Sequence, residues 1–178
     1  MANPAPKTTG AAAPAAPARG PASSLTGLKA RYLETVQLME RLHKQFLELV
    51  QAELDESHTL DLNSVQSLIL HSIGRDEVLI GDLTQRGYYL GTNVSYNVRR
   101  LIDTGYLTQA RSEHDRRAVK IRVTPKGLAL CERLDRAFEA HVRQLDGAAM
   151  LGALAHASDV LKKLSGFWAR ARVDRGVP

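Results

Sequence analysis

DLTQRGYYLGTNVSYNVRRLIDTGYLTQARSEHDRRAVKIRVTPKG, Asp82 to Gly127, decides how the rest of the chain is read. Asp82 to Gly87 suits one short helix, and Gly87 and Gly91 mark a turn after it. In the segment that follows, Val94, Val98, Leu101 and Ile102 recur at the spacing that places them on one face of a helix. Two helices joined by such a turn have helix-turn-helix spacing. Gly105 suits the left-handed position through which a chain leaves a helix. Two β-rich runs, Tyr106 to Arg111 and Ala118 to Thr124, then flank a charged tip, Ser112 to Arg117. A helix-turn-helix followed by a two-stranded ribbon with arginines at its tip predicts a winged helix, a module suited to DNA.

The end of this stretch carries a specific resemblance. Asp115-Arg116-Arg117-Ala118-Val119-Lys120-Ile121-Arg122-Val123-Thr124-Pro125-Lys126-Gly127 resembles the D-x-R, β-strand, L-T-x-x-G pattern of the MarR family of bacterial transcription regulators, with Val123 at the usual Leu. The resemblance extends in helix order from Leu25 to about Arg172, and the Tyr88-Tyr89 turn with the Asn93-Val94-Ser95-Tyr96-Asn97 helix start resembles the LdtR-like subgroup. It implies a homodimer interlocked through amino- and carboxyl-terminal helices. It also implies a crevice for small, frequently aromatic, effectors between those helices and the winged domain. Many members carry a basic residue where this chain has Gly91 and an Arg where it has Tyr96, so base preference does not carry over.

The chain of 178 residues suits one domain of ordinary size with a real core. Its 24 Lys and Arg against 19 Asp and Glu give a formal charge of +5, which favours a polyanionic partner. The excess is concentrated in the module. Arg99, Arg100, Arg111, Arg116, Arg117, Lys120, Arg122 and Lys126 stand against Asp103, Glu113 and Asp115. A single cysteine, Cys131, excludes an intramolecular disulfide and fits a reducing cytoplasm. No apolar run approaches the roughly 18 to 20 residues that span a bilayer, and no signal-peptide core is present. The expectation is a cytoplasmic protein, nucleoid-associated when bound to DNA, with no membrane partner.

Residues 1–24 are Ala, Pro and Gly with almost nothing large to bury, and read as a disordered tail. Residues 25–60 read as an amino-terminal dimerisation helix: Leu25, Leu28, Tyr32, Val36, Met39, Leu42, Phe46, Leu49 and Leu54 recur at helical steps over more length than a small core can cover. Residues 61–127 form the predicted winged helix. It opens with a helix over Leu62 to Ile73, capped by Asp61 or Asn63 and ended by Gly74, and Glu77 to Ile80 is an extended segment able to add a third strand. Residues 128–172 read as carboxyl-terminal dimerisation helices, the first with Thr124 as cap and Pro125 in its first turn, the second after a break at Asp146-Gly147. The fold class is therefore mainly α with a small antiparallel β-wing, plus a helical dimerisation region.

Candidate DNA contacts follow from chemistry. Thr92, Asn93, Tyr96, Arg99 and Arg100 occupy the direction opposite the apolar stripe, with Ser95 and Asn97 at its flanks. Asn93 can pair with adenine, and an Arg can pair with guanine or hold phosphate. Arg116 and Arg117 at the tip suit a narrow, A·T-rich minor groove, with Asp115 holding an arginine in place. Tyr88 and Tyr89 either pack in the module or donate a hydroxyl to phosphate. Tyr32, Met39, His43, Phe46 and His71 are the candidate lining of an effector crevice, with plain packing as the alternative. The six histidines lack i, i+3 or i, i+4 pairs, and no metal, cofactor or catalytic motif is indicated. Cys131, on an apolar stripe, reads as a small hydrophobe rather than a sensor. The function expected is a sequence-specific regulator of transcription, a homodimer on a pseudo-palindrome in double-stranded DNA, modulated by a small aromatic molecule. The alternative is an architectural or adaptor DNA-binding protein without effector; an enzyme is not expected.

Overall fold

The structure is a computed structural model that describes residues 21–85, 91–111, 119–145 and 147–174. Its elements in chain order are α1 (Pro21–Glu56), α2 (Ser64–Ile73), β1 (Val78–Leu79), α3 (Ile80–Gln85), α4 (Gly91–Asp103), β2 (Leu107–Arg111), β3 (Val119–Val123), α5 (Pro125–Val142) and α6 (Gly147–Val173). The chain divides into two compact units, 1–46 and 47–178. Helices with one small antiparallel sheet are the class that the sequence predicts.

α1 starts at Pro21, so residues 21–24, expected in the tail, are helical; the rest of that expected tail, residues 1–20, lies outside the described residues. Proline is suited to a helix start because its fixed φ is helical and its missing N–H would have no intrahelical partner there. α1 ends at a Schellman turn, in which Thr59 N–H reaches Leu54 O (2.9 Å) and His58 N–H reaches Asp55 O (3.0 Å), with His58 left-handed at φ 56°. α2 resolves the two candidate caps in favour of Asn63. Its side chain accepts from Gln66 N–H (2.9 Å) while Gln66 Oε1 accepts from Asn63 N–H (3.2 Å), a reciprocal capping box.

The extended segment after Gly74 supplies a third strand over Val78–Leu79, while Ile80, expected in it, opens α3; the sheet order is β1-β3-β2, with Val78 and Gln109 both opposite Ile121. Alternation sets the faces of β3. Ile121 and Val123 turn inward to a core with Leu70, Leu101, Tyr106, Leu107 and Leu130, while Lys120 and Arg122 turn out. α2 packs on α4 and α5, and α3 packs on α4 and β1.

α5 begins as the sequence predicts, with Pro125 in its first turn and Thr124 as its cap, Oγ1 accepting from Gly127 N–H (3.1 Å). Gly127 is needed for space rather than for an unusual φ. A Cβ there would lie 2.6 Å from the Tyr106 carbonyl oxygen and 2.6 Å from Val123 Cγ1. The backbone carbonyl cannot swing aside, because Thr124 N–H bonds it at 3.0 Å. Gly127→Ala therefore loses roughly 1 to 3 kcal/mol through overpacking; urea unfolding followed by circular dichroism checks this, and an unchanged midpoint contradicts it.

Candidate nucleic-acid interface

The helix that would read DNA, α4, is built to present one face. Val94, Val98 and Leu101 are buried, while Ser95, Tyr96, Arg99 and Arg100 are exposed, Tyr96 by 68 %. Thr92 and Asn93 fall on its first turn, where the backbone alone is described. Asp115, Arg116 and Arg117 at the wing tip, with Tyr88 and Tyr89 of the turn, lie outside the described residues. Asn97 is a correction. The sequence grouped it with the flanking DNA-facing residues, but it is 7 % exposed and its Oδ1 accepts from buried Gln66 Nε2 at 3.2 Å. Its polarity is satisfied inside the domain, beside Val94 and Leu101, at three residues after one and four before the other.

α4 ends in a second Schellman turn. Tyr106 N–H reaches Leu101 O (2.8 Å), Gly105 N–H reaches Ile102 O (2.9 Å), and Gly105 has φ 78° as the sequence reading requires. Three consecutive carbonyls then face the start of α5. Lys126 Nζ donates to Thr104 O (3.0 Å), Thr124 Oγ1 to Gly105 O (2.8 Å) and Thr124 N–H to Tyr106 O (3.0 Å). Lys126 also donates to Asp61 Oδ2 (2.9 Å) and lies 3.9 Å from the Tyr106 ring centre, while Tyr106 Oη donates to Asp61 Oδ1 (2.9 Å). Burial pushes the Asp61 carboxyl up, but the hydrogen bonds from Lys126 and Tyr106 outweigh it and hold the group below its ordinary pKa.

Two further cations of the module are paired. Glu77 bonds Lys120 (2.7 Å) and Arg122 (2.8 Å), and these two bonds hold its carboxyl below the usual range. Sequence reasoning counted Lys120, Arg122 and Lys126 in the module's basic excess; the structure gives each a carboxylate.

The proposed effector residues fall in both units. Tyr32, Met39, His43 and Phe46 lie on α1 in the first, all exposed except half-buried Met39. His71 lies in the second, where it meets Asp135 Oδ1 at 2.7 Å and the edge of Phe138, beside a cleft of about 210 Å³ that Arg75 and Glu132 also line. Cys131 borders the same cleft. Burial and nearby Asp135 push its thiol up to about 11, so it is protonated at neutral pH and suited to packing. Among the described residues no helix is long and apolar enough to cross a membrane, and no His, Cys, Asp and Glu cluster fits a metal.

Residues 62–127 match the family model of the winged helix DNA-binding domain. A relative, the exopolysaccharide II synthesis transcriptional activator ExpG of Rhizobium meliloti, is 36 % identical over 114 residues, which are 64 % of this chain and 59 % of that protein. Two solved structures share the fold. FabT of Streptococcus pneumoniae in complex with DNA has a TM-score of 0.61 at 22 % identity, covering 75 % of this chain and 99 % of that one. A MarR transcriptional regulator from Methanosarcina mazei Go1 has a TM-score of 0.62 at 14 % identity, covering 75 % and 97 %. The chain carries a winged helix DNA-binding domain, and it shares its fold with a MarR transcriptional regulator. It matches somewhat under two thirds of the activator's length. Its relatives and fold are those of transcription regulators, not enzymes.

In this winged helix domain sequence reasoning missed Gln66 and the role of Asp61, because both act on residues 31 to 65 positions away. The one available signal was an acid, Asp61, placed where only one cap is needed. Its consequence is readable by titration. A depressed folded-state pKa contributes stability that is present above the unfolded value, near 3.8, and is lost as pH falls through the folded one. Glu77 adds to the same acid limb, with the same sign. Asp61→Asn should therefore lower the melting temperature at pH 7 and flatten, without abolishing, its fall below about pH 4. Parallel wild-type and variant curves through that range contradict the clamp.

Proposed function

We propose that the protein is a sequence-specific regulator of transcription, acting as a homodimer on a pseudo-palindromic site in double-stranded DNA. The observation that carries this reading is α4, whose buried stripe is fixed to the domain while Ser95, Tyr96, Arg99 and Arg100 stand exposed on the other side. Asn93 at its start supplies a base-reading amide, and Arg116 with Arg117, oriented by Asp115, supplies the wing contact. The dimer is supported by apolar side chains that one chain leaves in water. Leu25, Leu28 and Leu42 on α1 are 67 %, 67 % and 54 % exposed, and Leu151, Leu154 and Phe167 on α6 are 72 %, 51 % and 54 % exposed. The relative's name describes an activator.

The test is selection of genomic fragments by the purified protein, followed by competition with scrambled duplex. The selected site should be preferred by about 1,000-fold or more, and sedimentation should give a dimer with half-sites centred about 10 base pairs apart. Arg116→Ala and Arg117→Ala should each weaken binding and flatten its salt dependence. Asn93→Ala should change the preferred bases at a cost of about 1 to 3 kcal/mol. A monomer, or wing variants that bind like wild type at every salt concentration, would count against the corresponding part.

A small aromatic acid is the proposed effector, with Tyr32, Met39, His43, Phe46 and His71 as its candidate contacts. Such a ligand shifts operator affinity only by binding the DNA-competent and incompetent forms unequally, and the coupling is reciprocal. Calorimetry of aromatic acids with and without the selected duplex should therefore return different ligand affinities; equal values refute the coupling.

A further inference from the structure

The side chains that hold α4 against its domain are nearly all apolar, and apolar contact resists separation far better than it resists rotation, because the hydrophobic effect has no direction. Rotation is what a reading helix cannot tolerate. A group at about 6 Å from the helix axis moves about 1.5 Å when the helix turns by roughly 15°, which is enough to take a hydrogen bond out of its 2.7 to 3.2 Å range. Something directional has to set the angle. One buried polar contact between α2 and α4 does so: Gln66 Nε2 donates to Asn97 Oδ1 at 3.2 Å, with the two residues 4 % and 7 % exposed.

The far end of this contact is itself fixed. Gln66 Oε1 accepts from Asn63 N–H (3.2 Å) and Gln66 N–H donates to Asn63 Oδ1 (2.9 Å), so the capping box dictates which end of the Gln66 amide faces Asn97. The next residue, Ser64, donates its N–H to Gln51 Oε1 (3.1 Å), and Gln51 Nε2 donates to Asp55 Oδ1 (3.0 Å). A continuous polar chain thus runs from the last turns of α1, through the cap of α2, to the middle of α4. Asn97 is next to exposed Tyr96 and one turn from Asn93, so the angle it sets is the angle at which both would meet DNA.

We propose that Asn97 and Gln66 determine base preference as positioning residues: their buried amide pair fixes the rotation of α4 without either residue touching a base. This rests on the DNA-reading function proposed above. It separates two quantities that a merely structural role would move together. Phosphate contacts tolerate a rotated helix and base-edge contacts do not, so loss of the pair lowers preference while leaving nonspecific binding and its salt slope in place.

The experiment uses the full chain, a duplex enriched by wild type from a random-sequence pool, and a scrambled duplex of equal length and salt. Gln66→Leu combined with Asn97→Leu removes both partners of the buried bond together, and with Gln66 goes the acceptor of the Asn63 N–H in the capping box. Its preference ratio should fall at least tenfold, with scrambled-duplex affinity within twofold of wild type. Asn97→Asp keeps an acceptor for Gln66 Nε2. It should weaken both duplexes together, because it adds a negative charge, and keep the ratio within threefold. Leu130→Ala, a core truncation in α5, should keep the ratio despite a lower melting temperature. If the double variant does not fold, Asn97→Ala takes its place with the same expected loss. A folded variant without the pair that keeps the wild-type ratio overturns the proposal. Failure of wild type to enrich any sequence overturns the regulator reading, and this one with it.

Discussion

The domain depends on how three successive carbonyls, those of Thr104, Gly105 and Tyr106, are satisfied where the chain leaves α4. Past the end of a helix the backbone carbonyls have no helical partner and must find donors elsewhere. Here the donors come from the first turn of α5 and the residue before it: Lys126 Nζ, Thr124 Oγ1 and Thr124 N–H. Thr124 does a third thing, since the same Oγ1 accepts from Gly127 N–H and so caps α5. Gly127 closes the arrangement by lacking a Cβ where Tyr106 O and Val123 come within 2.6 Å of where it would be. The T-x-x-G spacing is thus one hydrogen-bonding requirement and one close approach, three residues apart because that is one helical turn.

This junction joins α4 to α5 by hydrogen bonds at the point where the chain turns between them. The end of α4 is pinned to the start of α5, and its middle is pinned to α2 by Gln66 and Asn97. Asp61 ties both anchors to the segment between α1 and α2, by bonding Lys126 and Tyr106 just ahead of the Asn63 cap. Apolar packing supplies the cohesion of this unit. The few polar contacts supply its angles.

What the sequence made legible, and what it hid, divides along the same line. Periodicity, turn glycines and caps are local signals, so α2, α4, the sheet and α5 appear where they were expected, with Thr124, Gly74 and Gly105 in their predicted roles. α1 was placed four residues late, because Ala-Ser-Ser after a proline offers no apolar stripe to follow although it is compatible with a helix. Asn97 was misplaced for a different reason. Its side chain is polar and sits at the edge of the buried stripe, so residue type argued for solvent, while the partner that draws it inward is 31 positions away. Nothing near Asn97 announces Gln66.

The pairing of charge was hidden for the same reason, and it bears on how the module meets DNA. Eight basic residues between Arg99 and Lys126 concentrate the chain's positive excess in the module. Lys120 and Arg122 are bound to Glu77, and Lys126 to Asp61, acids that lie outside that window. Both carboxyls are held below their ordinary pKa, so the pairs persist at any pH near neutrality. Exposed pairs of this kind are worth little stability, but a cation already facing a carboxylate contributes less field to an approaching polyanion. On α4, by contrast, Arg99 and Arg100 stand exposed on the face that carries Tyr96. The module's positive field is therefore narrower than its composition implies, because Lys120, Arg122 and Lys126 already face carboxylates of the same domain.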